Sequence, residues 1–182
     1  MQRHGWTLLF HECVIEQLRK LDAACARAKA RDAKGFASNA NVKLFQALSH
    51  LMLELVPSDP NREEFRQGNT MGEAFRHWRR AKTGRRFRLF FRFDSRARII
   101  IYAWVNDEST LRSTGSRSDP YAVFQKMLSR GNPPDDWTAL LAASRPAKTI
   151  DNFNGLLAGR TRKVATIEEM GKATVKAWAG KK

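Results

Sequence analysis

Arginine is the residue type through which this chain could do chemistry. Arg76, Arg79, Arg80, Lys82, Arg85, Arg86, Arg88, Arg92, Arg96 and Arg98 crowd into one segment against a lone acid, Asp94. A planar guanidinium grips phosphate oxygens through paired N–H bonds and keeps its charge near neutrality. The segment is therefore suited to holding a phosphodiester and to stabilising negative charge that develops on it. The whole chain agrees: 182 residues carry 33 Lys+Arg against 18 Asp+Glu, a formal net charge of +15. A surplus of that size points to a polyanionic partner, nucleic acid first and an anionic membrane second. No run approaches the ~18 apolar residues of a membrane span, and Met1–Cys13, interrupted by His4, His11 and Glu12, does not read as a signal peptide. The two cysteines, Cys13 and Cys25, suit small buried hydrophobes better than a disulfide or metal pair, and a reducing cytoplasm is expected. No His-x3-His or Cys-x2-Cys pattern and no carboxylate cluster is visible, so neither a metal site nor a cofactor is expected. His77 neighbours the basic segment and is of a residue type suited to acid–base work, but it stands without a partner, and a structural role is favoured for it.

These side chains need elements that aim them. In Arg86–Phe93, positions 87, 89, 91 and 93 are apolar while 86, 88 and 92 are arginine. Period-2 alternation predicts a half-buried strand with arginines on its polar face. Ile99–Val105, β-branched and aromatic, predicts a central strand, and the polar turn 94–98 makes the two a hairpin. A third strand within Phe75–Lys82, turning at Thr83-Gly84-Arg85, would complete a meander. Before it, the spacing of Val14, Leu18, Leu21 and Cys25 predicts a helix from about His11 to Ala30. That of Val42, Phe45, Leu48 and Met52 predicts another from about Asn39 to Leu55, stopped by Pro57. Pro120 opens a third helix that Gly131 ends, and a short one follows near Trp137–Ala143. The expectation is an α+β domain over residues 1–145, with two N-terminal helices, a small antiparallel or mixed sheet and a C-terminal helix. Its helices would cover one sheet face and its arginines the other.

Those residues carry a resemblance. The run Arg86–Phe93, then Ile99–Trp104, Asn106–Arg112 and Asp119–Trp137, with His4-Gly5-Trp6 ahead of them, resembles the YhaV family of bacterial toxins in the RelE-like superfamily. The resemblance implies a RelE-like fold and a metal-independent endoribonuclease of a type II toxin–antitoxin pair. Such an enzyme cleaves mRNA, free or on the ribosome, and is neutralised by an AbrB-like (PrlF-type) antitoxin. RNA cleavage of that kind needs activation of the ribose 2′-hydroxyl, charge stabilisation at phosphorus, and protonation of the departing oxygen. Arg88 fits the second role and matches a catalytic strand arginine of the superfamily; the plain alternative is a salt-bridged surface arginine. Arg79 matches a basic residue on the preceding strand, although Ala81 stands where the family pattern has lysine, with Lys82 one position on and on the opposite strand face. Arg112 would touch phosphate or simply pair with Asp107 or Glu108. Tyr121 matches a tyrosine used for stacking or proton transfer, or is a core residue with its hydroxyl at the rim. Lys82, Arg85, Arg86, Arg92 and Trp104 are the expected RNA-binding residues.

Residues 146–182 depart from that pattern. A linker leads to Asn152–Gly159 and to a helix capped by Thr166 and Glu169, resembling the tail of AbrB/MazE-like antitoxins. Phe153, Leu156, Ile167, Met170 and Trp178 would be its contacts with the toxin domain, within one molecule or across a homo-oligomer; a plain amphipathic helix is the alternative. Two further functions stay open: a non-catalytic RNA- or ribosome-binding module stacking bases on Phe90, Tyr102 and Trp104, and a pure interaction protein whose basic face meets an acidic antitoxin.

Overall fold

The computed structural model describes residues 1–146; the expected tail contacts Phe153, Leu156, Ile167, Met170 and Trp178 lie outside the described residues. In chain order the strands are β1 (Gln2–Arg3), β2 (Trp6–His11), β3 (Arg79–Thr83), β4 (Phe87–Asp94), β5 (Ile99–Val105) and β6 (Ser144–Pro146). The helices are α1 (Glu12–Arg31), α2 (Ala40–His50), α3 (Val56–Ser58), α4 (Pro120–Ser129) and α5 (Trp137–Ala142). This is the expected α+β class, built on a mixed sheet of order β1-β2-β5-β4-β3 with β6 also on β2.

The meander β3-β4-β5 forms as the alternation predicts, with Lys82 opposite Arg88 and Asp94 opposite Ile99. It is not the whole sheet. β2 inserts parallel to β5, Leu8 facing Ile100, and offers its other edge to β1 and β6. A short apolar run just ahead of a helix does not reveal itself as a strand, because its partner lies far along the chain.

α1 begins where His11 ends β2: the His11 ring nitrogen Nδ1 accepts the Cys13 N–H at 3.2 Å and caps the helix. Its buried stripe is Val14, Ile15, Leu18 and Cys25. The second helix runs past Pro57 rather than stopping before it. Leu51–Leu55 form a π-turn that joins α2 to α3, and the Val56 N–H reaches Leu51 O. The next bond in that wide register would run from residue 57 to the Met52 carbonyl, and proline has no N–H to give. The Tyr102 hydroxyl donates to that carbonyl instead, at 2.6 Å. Burial pushes the Tyr102 pKa well above the ordinary phenol value, so the hydroxyl stays a donor.

Helices cover both sheet faces, a correction to the expected one-sided arrangement. One face carries Phe10, Phe91 and Tyr102, their rings in mutual contact at 5.3 and 6.1 Å, and α1 and the π-turn pack there. The other carries Phe90, Ile101, Ala103 and Trp104, closed over by Tyr121, Phe124 and Leu128 of α4 and Leu140 of α5. A bulge in the β4–β5 ladder at Phe90/Phe91 places Ala103 and Trp104 together in that second core. Arg88 and Arg92 belong by alternation to the same face as Phe90, so α4 packs onto the arginine face rather than opposite it.

Candidate active site on the β3–β4 face

Where α4 stops covering the sheet, cations begin. Arg80 pairs across the ladder with Phe90 and Lys82 with Arg88, so Arg80, Lys82 and Arg88 share one face. Lys82 is directly opposite Arg88 and Arg80 is its diagonal neighbour, separations of about 5 and 7–8 Å in an antiparallel ladder. Arg88 is 7% exposed, not the surface residue that the alternation suggests. Its Nη1 donates to the Phe87 carbonyl at 2.8 Å, its Nε has no partner, and it forms no ion pair among the described residues.

Three groups hold this strand end. The Asn106 side chain, 3% exposed, accepts the Arg88 N–H at 2.6 Å through Oδ1. Its Nδ2 donates to the carbonyls of Arg86 at 3.1 Å and Thr110 at 2.9 Å. Asp107 then caps the turn Glu108–Thr110. Burial pushes the Asp107 carboxyl up, but hydrogen bonds from Ser109 and Thr110, with Lys20 nearby, outweigh it and hold the pKa below its ordinary value. The Arg112 N–H closes the loop on the Arg86 carbonyl at 3.3 Å.

α4 delivers the phenol. Asp119 caps the helix through Oδ1 to the Tyr121 N–H, with Pro120 at the first position, where a missing N–H costs nothing. Its Oδ2 accepts from the Ser113 N–H and the Arg112 guanidinium. Arg112 also stacks over the Tyr121 ring, 5.1 Å from its centre, so it pairs with Asp119 rather than with Asp107 or Glu108. The Tyr121 hydroxyl accepts from Arg80 Nε at 2.8 Å, while Arg80 Nη1 donates to the Glu64 carbonyl at 2.5 Å. With its oxygen held by Arg80, the phenol has its own proton to give.

Not every expected residue joins this group. Arg79 faces the other way: it pairs with Phe91, lies over the Phe93 ring at 5.8 Å, and has its pKa lowered by burial and by neighbouring Arg66. Of two adjacent arginines on a strand, only one can share a face with Arg88, and the register selects Arg80. Arg92 is a strut between the rings of Trp78 (5.6 Å) and Trp137 (5.4 Å), donating to the Asp135 carbonyl. Asp135 also accepts from His77 at 2.8 Å and Trp78 at 2.6 Å, which gives His77 its structural partner. Trp104, 4% exposed, stacks with Phe90 and Phe124; with Phe90 and Tyr102 at 0%, none of these three rings offers an open face to a base. Lys82, Arg85 and Arg86 are exposed at the rim. The thiols are not nucleophiles here: burial, helped by Glu16 for Cys13 and Asp22 for Cys25, pushes each pKa up to about 11. Among the described residues no group of three or more His, Cys, Asp or Glu is placed to hold a metal ion. Arg80, Asn106 and Asp119 are the residues to which sequence reasoning gave no role; the Asp119-Pro120 pair was a readable helix-cap signal, whereas Asn106 stood out only as the first residue of a segment that carries the family resemblance.

A cationic strand face with a tethered phenol, on an α+β scaffold, is an arrangement chemically suited to holding a phosphodiester. Comparison with known proteins gives the family. Residues 8–145 match the Toxin_YhaV family, described as a toxin with endonuclease activity, of toxin-antitoxin system, and the chain belongs to that family. It is 38% identical over 139 residues to "Ribonuclease toxin YhaV" of Escherichia coli strain K12, a match spanning 75% of this chain and 90% of that protein. The same identity and coverage hold for "Toxin YhaV" of the O157:H7 and O6:H1 strains. No solved structure matches.

Proposed function

We propose that this chain is an endoribonuclease toxin that cuts mRNA without a metal ion, by attack of a ribose 2′-hydroxyl on the adjacent phosphodiester. The observation that carries the reading is the buried guanidinium of Arg88, which has no carboxylate partner and an unpaired Nε. An uncompensated buried charge costs several kcal/mol, and a phosphate oxygen of the substrate is the counter-ion it lacks. In this reading the 2′-hydroxyl gives its proton to solvent water as its oxygen bonds to phosphorus, and Arg88, with Lys82 opposite, stabilises the charge that grows on the non-bridging oxygens. The 5′-oxygen leaves with the electron pair of its phosphorus bond, and the Tyr121 hydroxyl, oriented by Arg80, is placed to protonate it. Arg112, neutralised by Asp119, positions the tyrosine rather than the phosphate. Arg85 and Arg86 hold flanking phosphates.

Family membership supports the reading of a protein partner. Membership of a toxin–antitoxin system implies an antitoxin; we assign it to the AbrB-like (PrlF) type and place the reaction in the cytoplasm on a RelE-like domain of residues 1–145. No helix among the described residues is long and apolar enough to cross a membrane. The test is Arg88→Met, assayed on synthetic mRNA in EDTA with and without ribosomes. Cleavage should fall by at least about 10²-fold, the usual cost of one charge-stabilising donor, while stability holds or rises because an unpaired buried charge has gone. A folded Arg88→Met protein that cleaves at the parent rate would overturn the assignment.

A further inference from the structure

Away from the cationic face, α1 presents a half-buried trench to solvent. Two adjoining clefts, of about 440 and 350 Å³, share Ala24, Arg27 and Asn41 in their walls. Along α1 their lining runs from Gln17 to Arg31 at three- and four-residue spacing, one face of a helix. At 1.5 Å per residue this is about 21 Å, roughly four helical turns. The floor is apolar and partly open: Leu21, Ala24 and Ala28 from α1 against Leu44 from α2. Its α1 rim is cationic, with Lys20, Arg27 and Arg31, none of which forms an ion pair among the described residues. Asp107 and Glu108 stand only at one end.

We propose that this trench is a docking site for an acidic, amphipathic helical segment of the partner antitoxin, remote from the cationic site on the β3–β4 face. Small residues on the floor admit a close helix, the apolar stripe gives it something to bury, and Arg27 and Arg31, the cations away from Asp107, select acidic residues along its edge. Single-stranded RNA fits less well, because no aromatic ring lines the α1–α2 part of the trench for bases to stack on. The chain's own residues 146–182 fit poorly by charge, with eight Lys and Arg against three acids. The partner's existence rests on membership of a toxin–antitoxin family, not on the nuclease reading.

The groove also touches the catalytic loop, since Asn106 and Asp107 line its end while Arg112 at the loop's far end holds Tyr121. A bound segment is thus in contact with the residue that anchors Arg88.

The experiment uses the full chain and its cognate antitoxin. Hydrogen exchange of the complex should show new protection over residues 17–31 and 41–48. Arg27→Glu combined with Arg31→Glu, both exposed, should weaken antitoxin binding by roughly tenfold or more and leave RNA cleavage by the free toxin unchanged. Unaltered antitoxin affinity overturns the proposal. So does protection that is confined to the β3–β4 face, already present in the free chain, or produced by single-stranded RNA instead. Cleavage by the free toxin reports on the nuclease reading separately, so the two can fail independently.

Discussion

Asn106→Ala tests whether the candidate site depends on one amide. The side chain is 3% exposed and binds most closely the N–H of Arg88 and the carbonyls of Arg86 and Thr110, with the Asp107 carbonyl at 3.5 Å. Deletion leaves a buried donor and two carbonyls to find new partners. Unpaired buried groups cost about 1–3 kcal/mol each, and with partial rescue by water a total of about 2–4 kcal/mol is expected. Against a typical stability of about 5–15 kcal/mol the variant still folds at 25 °C. Cleavage should fall by more than the unfolded fraction explains, because Arg88 hangs from the peptide that Asn106 holds. Asn106→Asp keeps the acceptor for Arg88 but turns an oxygen toward the two carbonyls, so it should rescue neither stability nor rate. Guanidinium unfolding, followed by tryptophan fluorescence, gives the first quantity; single-turnover cleavage of a labelled RNA gives the second. An alanine variant within about 0.5 kcal/mol of the parent, the scatter of ordinary surface substitutions, and fully active would refute the reasoning.

Two other outcomes are expected. Burial, opposed by Glu12, lowers the His11 pKa, so between that value and 6.5 the unfolded chain binds a proton that the folded chain does not. Stability should therefore drop as pH falls from 7.5 to 5.5, and His11→Asn, a helix cap that does not titrate, should flatten the drop; an equally steep fall in that variant defeats the assignment. Arg92→Met should lower stability by about 1–3 kcal/mol, through two lost cation–ring contacts and a backbone hydrogen bond. The salt dependence of RNA binding should stay as it was, and a slope shallower by about one would instead return Arg92 to the phosphate path.

Local pattern made the hairpin, the two long helices and the cationic segment legible, because each rests on periodicity within a single window. What stayed hidden depended on partners distant in sequence. Whether Arg79 or Arg80 shares a face with Arg88 is a matter of ladder register, which one residue of slip reverses. Arg88 reads as exposed when its strand is taken alone; its burial depends on how the strand sits among its neighbours in the folded chain. Trp104 looks like a stacking residue until Phe124 arrives from α4 to close over it. Pro57 reads as a stop because the compensating hydroxyl comes from Tyr102, on a strand of the sheet. Arg112 found Asp119 rather than its nearer acids since the loop folds back on Arg86.

The place of β2 bears on how the toxin comes into being. The β3-β4-β5 meander joins neighbours along the chain and closes fast, but β2 must wait: Leu8 meets Ile100, and Phe10 meets Arg145. Contacts between such distant positions are slow to form, since loop closure must come before they contribute. A chain leaving the ribosome N-terminus first can pair Trp6 and Thr7 with β1 early, but the β5 edge of Trp6–His11 stays open through more than half of its synthesis. The cationic strands emerge before α4 brings Tyr121, and among the described residues the last strand to join the sheet is Ser144–Pro146. The nascent protein consequently passes much of its growth with the candidate site incomplete, its cationic strands made before the helix that carries Tyr121.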